Sequence, residues 1–158
     1  AAAAVTFFIA FILVIALLFS GGGYQKPIKN MIKGMEKKNY DTFVKAFPEE
    51  TQEYFDELLE RGNYTKSAFM KERLADLESE YGKNIKLSYK ITDKTRIKDK
   101  DELERIESKY GLEDTPKSAY EVEVELTIKG SKDKDTEDMD LVVAKIGGKW
   151  YIVNMMGY

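Results

Sequence analysis

The sequence predicts an α+β protein in which an N-terminal transmembrane helix is followed by a helix-rich start and then a four-stranded antiparallel sheet. Three observations predict it. Residues 1–20, AAAAVTFFIAFILVIALLFS, contain no charged side chain, and at about 1.5 Å rise per residue they would span roughly 30 Å as a helix, the thickness of a bilayer's hydrocarbon core. Between residues 24 and 81 the apolar side chains recur at three- and four-residue spacing, and from Ile85 onward they recur at two. The predicted organisation is a transmembrane helix over 1–20, a glycine joint over 21–23 and one α+β domain over 24–158.

The apolar run has an alternative reading as a secretory signal peptide, because the small residues Ser20-Gly21-Gly22 follow it as they would at a cleavage site. Its length and the lack of a basic stretch before it favour a retained anchor. Lipidation beside the glycines is excluded because the chain has no cysteine. All 25 Lys and Arg and all 28 Asp and Glu follow Gly23, so the domain has a strongly solvated surface. Its length suits a single core, and a net charge of −3 gives no bulk attraction for nucleic acid. Gly21-Gly22-Gly23 would free the domain from the orientation of its anchor.

Pro27 suits a first helical turn, and Ile28, Met31, Ile32 and Met35 then form one apolar face. Asn39 and Asp41 offer capping oxygens ahead of a short apolar turn carrying Phe43 and Phe47. Pro48-Glu49-Glu50 is an acidic helix start, and that helix runs to Arg61 before Gly62, with Tyr54, Phe55, Leu58 and Leu59 expected inward. A third helix, from about Ser67 to Tyr81, should bury Phe69, Leu74 and Leu77 and end at Gly82.

The first strand alternates Ile85, Leu87, Tyr89 and Ile91 against Lys86, Ser88, Lys90 and Thr92. DKDELERIESKYG then places Leu103, Ile106 and Tyr110 on one side of a short helix, an excursion between strands. Tyr120, Val122, Val124, Leu126 and Ile128 make the clearest alternation, opposed by Glu121, Glu123 and Glu125. A polar turn is expected from Gly130 to Asp138, and MDLVVAKI and KWYIVNMM form a final hairpin around Gly147-Gly148. Helices should then pack on one sheet face and leave the other wet.

The terminal GGKWYIVNM, in which a glycine turn enters an aromatic strand, resembles the cone-shaped fold of nuclear transport factor 2. YQKPIKNMIKGMEKKNYDTFVKAF, residues 24–47, resembles the first helices of single-span envelope proteins of Gram-positive bacteria that carry such a domain. The resemblance covers roughly residues 24–158. It implies a curved sheet wrapped around helices, cone-like, with a concave pocket between them. Relatives with a membrane span include TcaA-like proteins, the non-catalytic domains of low-affinity penicillin-binding proteins, and the scaffold subunit of type IV secretion machines. In these the domain lies outside the cytoplasm and acts in assembly or binding. The resemblance therefore implies a single-pass cell-membrane protein with an extracytoplasmic C-terminal domain. It outweighs Lys26, Lys29, Lys33, Lys37 and Lys38, which by the positive-inside rule would favour the cytoplasm.

The same fold hosts enzymes such as ketosteroid isomerase and scytalone dehydratase, so the resemblance alone leaves catalysis open. The chain has no histidine and no cysteine, which removes the usual nucleophile pairs, imidazole bases and Cys or His metal ligands. The acidic run Asp133, Asp135, Glu137, Asp138 and Asp140 lacks the glycine and closing glutamate of a calcium loop: Asp138 and Ala144 stand at those positions. No cofactor, metal or catalytic residue is expected.

Three surfaces remain as candidates. Glu121, Glu123 and Glu125 offer an interaction face, the five juxtamembrane lysines a contact with anionic headgroups, and Tyr89, Tyr120 and Trp150 a pocket lining. The sequence ranks first a membrane-anchored scaffolding or binding module whose partners are the bilayer and other envelope proteins or itself. An extracytoplasmic receptor for a small apolar or cell-wall-derived ligand comes second. A lyase or isomerase using a buried carboxylate comes third.

Overall fold

A computed structural model describes residues 23–154. Its elements run α1 (Gln25–Glu36), α2 (Tyr40–Val44), α3 (Glu49–Arg61), α4 (Lys66–Tyr81), β1 (Lys86–Ile97), α5 (Lys100–Tyr110), β2 (Ala119–Lys129), β3 (Lys134–Ile146) and β4 (Lys149–Ile152). The strands form one four-stranded antiparallel sheet in sequence order. The α+β class, the early helices and the helical excursion between the first two strands are thus as predicted.

The transmembrane part of the prediction is corrected. Residues 1–20 and the first two glycines of the joint lie outside the described residues. Among the described residues no helix is long and apolar enough to cross a membrane. The longest of them, α4, has 16 residues, KSAFMKERLADLESEY, which extend about 24 Å at 1.5 Å each, short of a bilayer's roughly 30 Å, and carry charges throughout. The single-pass anchor, and with it the cell-membrane and extracytoplasmic placement that the resemblance implied, find no support among the described residues.

Local chemistry accounts for the helix boundaries. The Asn39 side chain accepts from the Thr42 amide at 2.9 Å, Thr65 Oγ1 from Ala68 at 3.1 Å, and Asp99 from Glu102 at 3.2 Å, each satisfying an otherwise orphaned first-turn donor. Gly111 ends α5 in the left-handed region. The helix α1 buries Ile28, Met31 and Ile32 as its spacing predicts.

In α3 the buried stripe is narrower than expected. Thr51 and Leu59 are buried and Phe55 is half-buried, whereas Tyr54 and Leu58 are 40% and 38% exposed. Residues four apart, 51, 55 and 59, form the single row that faces the rest of the fold, so Tyr54 and Leu58 are carried to its solvent side.

The sheet is also longer than the apolar alternation shows. A register shift between Ile91 and Asp93 lets β1 run on to Ile97, so that Lys94 and Arg96 pair with Val122 and Tyr120. The strand β3 begins at Lys134, and Asp135, Glu137 and Asp138 are exposed strand residues rather than parts of a turn. Leu87, Val122, Val124, Ile128, Leu141, Val143 and Ile152 face α1, α2 and α4 in the main core. The opposite face is not wholly wet. The α5 residues Leu103 and Ile106 cover one end of it, where Ala119 and Ala144 are small enough to admit a helix. Gly147 and Gly148, at φ 54° and 84°, form the predicted two-residue turn between β3 and β4.

Candidate functional site

The helices α1, α2, α3 and α4 do not completely fill the space above the sheet. They leave a cleft of about 340 Å³. Met31, Ile32 and Met35 enter it from α1, Phe43 from α2, Phe55 from α3, and Phe69, Met70 and Arg73 from α4, while Leu87, Leu126, Met139 and Leu141 form its floor. The aromatic wall is continuous. Phe43 and Phe55 have ring centroids 5.9 Å apart, Phe55 and Phe69 6.1 Å, and Phe47 stands behind them at 5.2 Å from Phe43 and 5.6 Å from Phe55. These edge-on and tilted pairings are favourable for π-systems.

Hydrogen bonds fix the frame around the cleft. Tyr40 Oη donates to the Asp56 carboxylate at 2.7 Å, joining α2 to α3, and burial together with that carboxylate pushes the phenol's pKa well up. Glu36, at the end of α1, lies 2.9 Å from Lys33 Nζ and accepts from the Leu87 amide at 3.4 Å. Although burial alone would raise the Glu36 carboxyl, the Lys33 ammonium and the amide of Leu87 hold it below its ordinary value. Among the described residues, no buried side-chain nitrogen or oxygen lacks a hydrogen-bond partner. Among the described residues lining the cleft, all but Arg73 are apolar.

The aromatic residues singled out from the sequence lie elsewhere on the same sheet face. Tyr120 and Trp150 stack with centroids 5.5 Å apart, Tyr24 joins them at 4.8 Å from Tyr120, and Lys94 stands over the Tyr24 ring at 5.1 Å. Trp150 also borders a separate polar groove of about 610 Å³ with Lys26, Asn30, Lys45, Glu49 and Gln52. Tyr89 is half-buried against the main core. None of the three lines the apolar cleft.

On the other sheet face Glu121 and Glu123 are exposed and Glu125 is half-buried. Their register is unusual: Glu123 stands opposite Asp93 on one side and Asp140 on the other, while Glu125 stands between Lys90 and Asp138. Like charges placed so are mutually repulsive. The five lysines do not form one open patch. Lys33 is paired with Glu36 and Lys38 with Glu78 at 3.5 Å, Lys29 is half-buried, and Lys26 and Lys37 are exposed.

The resemblance implied a pocket between helices and sheet, but the lining expected for it, Tyr89, Tyr120 and Trp150, is not that of the cleft. Met31, Ile32, Met35, Phe43, Phe55 and Phe69 read as apolar helix faces, and nothing in the sequence singles out Arg73. The one available signal was compositional, since four of the chain's six methionines, Met31, Met35, Met70 and Met139, converge there. A scan against protein-family models and a search of curated proteins find no match to this chain.

Proposed function

We propose that this domain is a non-catalytic binding module that takes up a small apolar ligand in the cleft between its helices and its sheet. The observation that carries this function is the cleft's combination of size and lining. A volume of about 340 Å³ lies within the roughly 300–1,000 Å³ usual for small-molecule sites, and eleven of its twelve lining residues are apolar. Methionine side chains are flexible and polarisable, so four of them allow the wall to adjust to its occupant. Among the described residues, no carboxylate, histidine, cysteine or tyrosine lines the cleft, so the lining offers no general base.

The methionine methyl groups supply the test. In a ¹³C-methyl spectrum, 1-decanol should shift the signals of Met31, Met35, Met70 and Met139, and Met139→Trp, which fills the cleft, should suppress those shifts. Methyl signals that stay in place up to the solubility limit of the alcohol would refute the proposal.

The acidic sheet face supports a second reading, in which the module binds a protein partner through Glu121, Glu123 and Glu125. The carboxylates of Asp93, Glu123 and Asp140, opposite one another across three strands, are costly to a free surface and are relieved by a basic partner.

A further inference from the structure

We propose that the ligand of the cleft is a monocarboxylate with a single medium-length alkyl chain, and that Arg73 at the mouth holds its head group. This inference rests on the cleft being a ligand site and adds the ligand's chemical class. Among the described residues that line the cleft, Arg73 is the one that carries a charge. It is exposed while its apolar neighbours Met31, Ile32 and Met70 are buried, which places it at the opening.

Its own surroundings leave its donors available. The guanidinium carbon lies 5.3 Å from the centroid of the Phe69 ring, a cation–π contact. A cation–π contact uses the face of the guanidinium and none of its N–H donors, and a guanidinium can pair with both oxygens of a carboxylate. Asp76, three residues along α4, is at helical pairing distance in sequence, yet the ion pairs among the described residues do not include Arg73. Glu36, the carboxylate at the end of α1, is already engaged by Lys33 and the Leu87 amide. Asp138 and Asp140 flank Met139 on β3, and strand alternation sends them to the opposite sheet face.

Size selects the rest of the molecule. At about 30 Å³ per water-sized group, a space of about 340 Å³ accommodates roughly eleven such groups. That matches one chain of about eight to ten carbons.

The experiment compares decanoate with 1-decanol by methionine-methyl titration of the whole chain, with Arg73 intact, as Arg73→Gln and as Arg73→Lys. Because Arg73 is exposed, both variants should keep the fold, which the unchanged remainder of the spectrum would verify. We expect Arg73→Gln to weaken decanoate about fivefold, the scale of a partly solvated ion pair, and to leave decanol within about twofold. Arg73→Lys should restore part of the loss, and added salt should narrow the difference. Equal effects of Arg73→Gln on the two ligands, or none on decanoate, would overturn the head-group assignment while leaving the cleft as a site for neutral apolar molecules. Binding of neither ligand to the unaltered chain would refute the cleft as a ligand site and this proposal with it.

Discussion

Gly34→Ala sets two known effects of opposite sign against each other. Replacing a helical glycine with alanine ordinarily stabilises by about 0.5–1 kcal/mol, because the unfolded chain has less freedom to lose. At this position a Cβ would lie 2.6 Å from the Cα of Phe43 and 2.7 Å from its Cβ, against an optimal carbon–carbon separation of about 3.5–4.0 Å. Relief requires α1 and α2 to part by about 1 Å. The connection between them resists, since the Asn39 amide donates to Gly34 at 2.8 Å and the Phe43 amide donates to Asn39 at 3.0 Å. Overpacking of this kind costs about 1–3 kcal/mol or more, so the clash should prevail by about 1–2 kcal/mol. For a domain of this size that lowers Tm by about 4–8 °C, readable by circular dichroism or calorimetry. Because Met31, Met35 and Phe43 all line the cleft, the Met31 and Met35 methyl signals should move as well. An unchanged or higher Tm would show that the close approach of α1 and α2 is wrong.

Two further predictions test other parts of the structure. Glu123→Lys converts two repulsive cross-strand pairings, with Asp93 and Asp140, into attractive ones, and should stabilise by about 0.5–1 kcal/mol at low salt and less at high salt; a destabilised variant would refute the register, and retained binding of a basic partner would refute the acidic-face reading. Tyr40→Phe removes the hydrogen bond to Asp56 and should cost about 1 kcal/mol at neutral pH, given the exposure of that carboxylate. The raised pKa of Tyr40 means that the folded state keeps a proton which the unfolded state releases. Its contribution is fully present below pH about 10 and falls away as pH rises beyond it, so the unaltered protein should lose stability more steeply with alkali than Tyr40→Phe. Parallel pH profiles would remove that assignment.

The parts of the fold that were legible are those in which one segment carries its own pattern. Tyr120 to Ile128 alternates without a break and becomes β2, and Ile28, Met31 and Ile32 mark the buried face of α1. Where a neighbour decides, the sequence is silent. KDTED, at the start of β3, has no apolar alternation and is a strand because residues 125–129 of β2 pair with it. DKTRI continues β1 only through a bulge that reverses which side chains face the helices. Tyr54 and Leu58 look as apolar as Phe55 and Leu59, and only the direction from which α3 meets the core separates them. The cleft, implied by the resemblance as a pocket between helices and sheet, was the least legible feature in its lining. It is a shortfall of volume among residues from Met31 to Leu141, and no local window contains such a difference.

That shortfall also bears on why the site should have an occupant. A sealed, empty cavity destabilises by about 24 cal/mol per Å³, which for about 340 Å³ would come to about 8 kcal/mol, comparable with the whole stability of an ordinary domain. The fold avoids most of that cost by leaving the space open at Arg73 and along the half-buried Met35, Phe55, Phe69, Leu126 and Met139. Opening it exposes apolar surface to water, and a bound alkyl chain would remove that exposure at roughly 25 cal/mol per Å². Ligand that binds the folded chain alone must also stabilise it, by about 2.7 kcal/mol at a hundredfold excess over Kd. Uptake of decanoate and a rise in Tm are therefore two faces of one equilibrium. Loss of both in Met139→Trp, with the fold retained, would place the ligand in the cleft and not on the aromatic cluster of Tyr24, Tyr120 and Trp150.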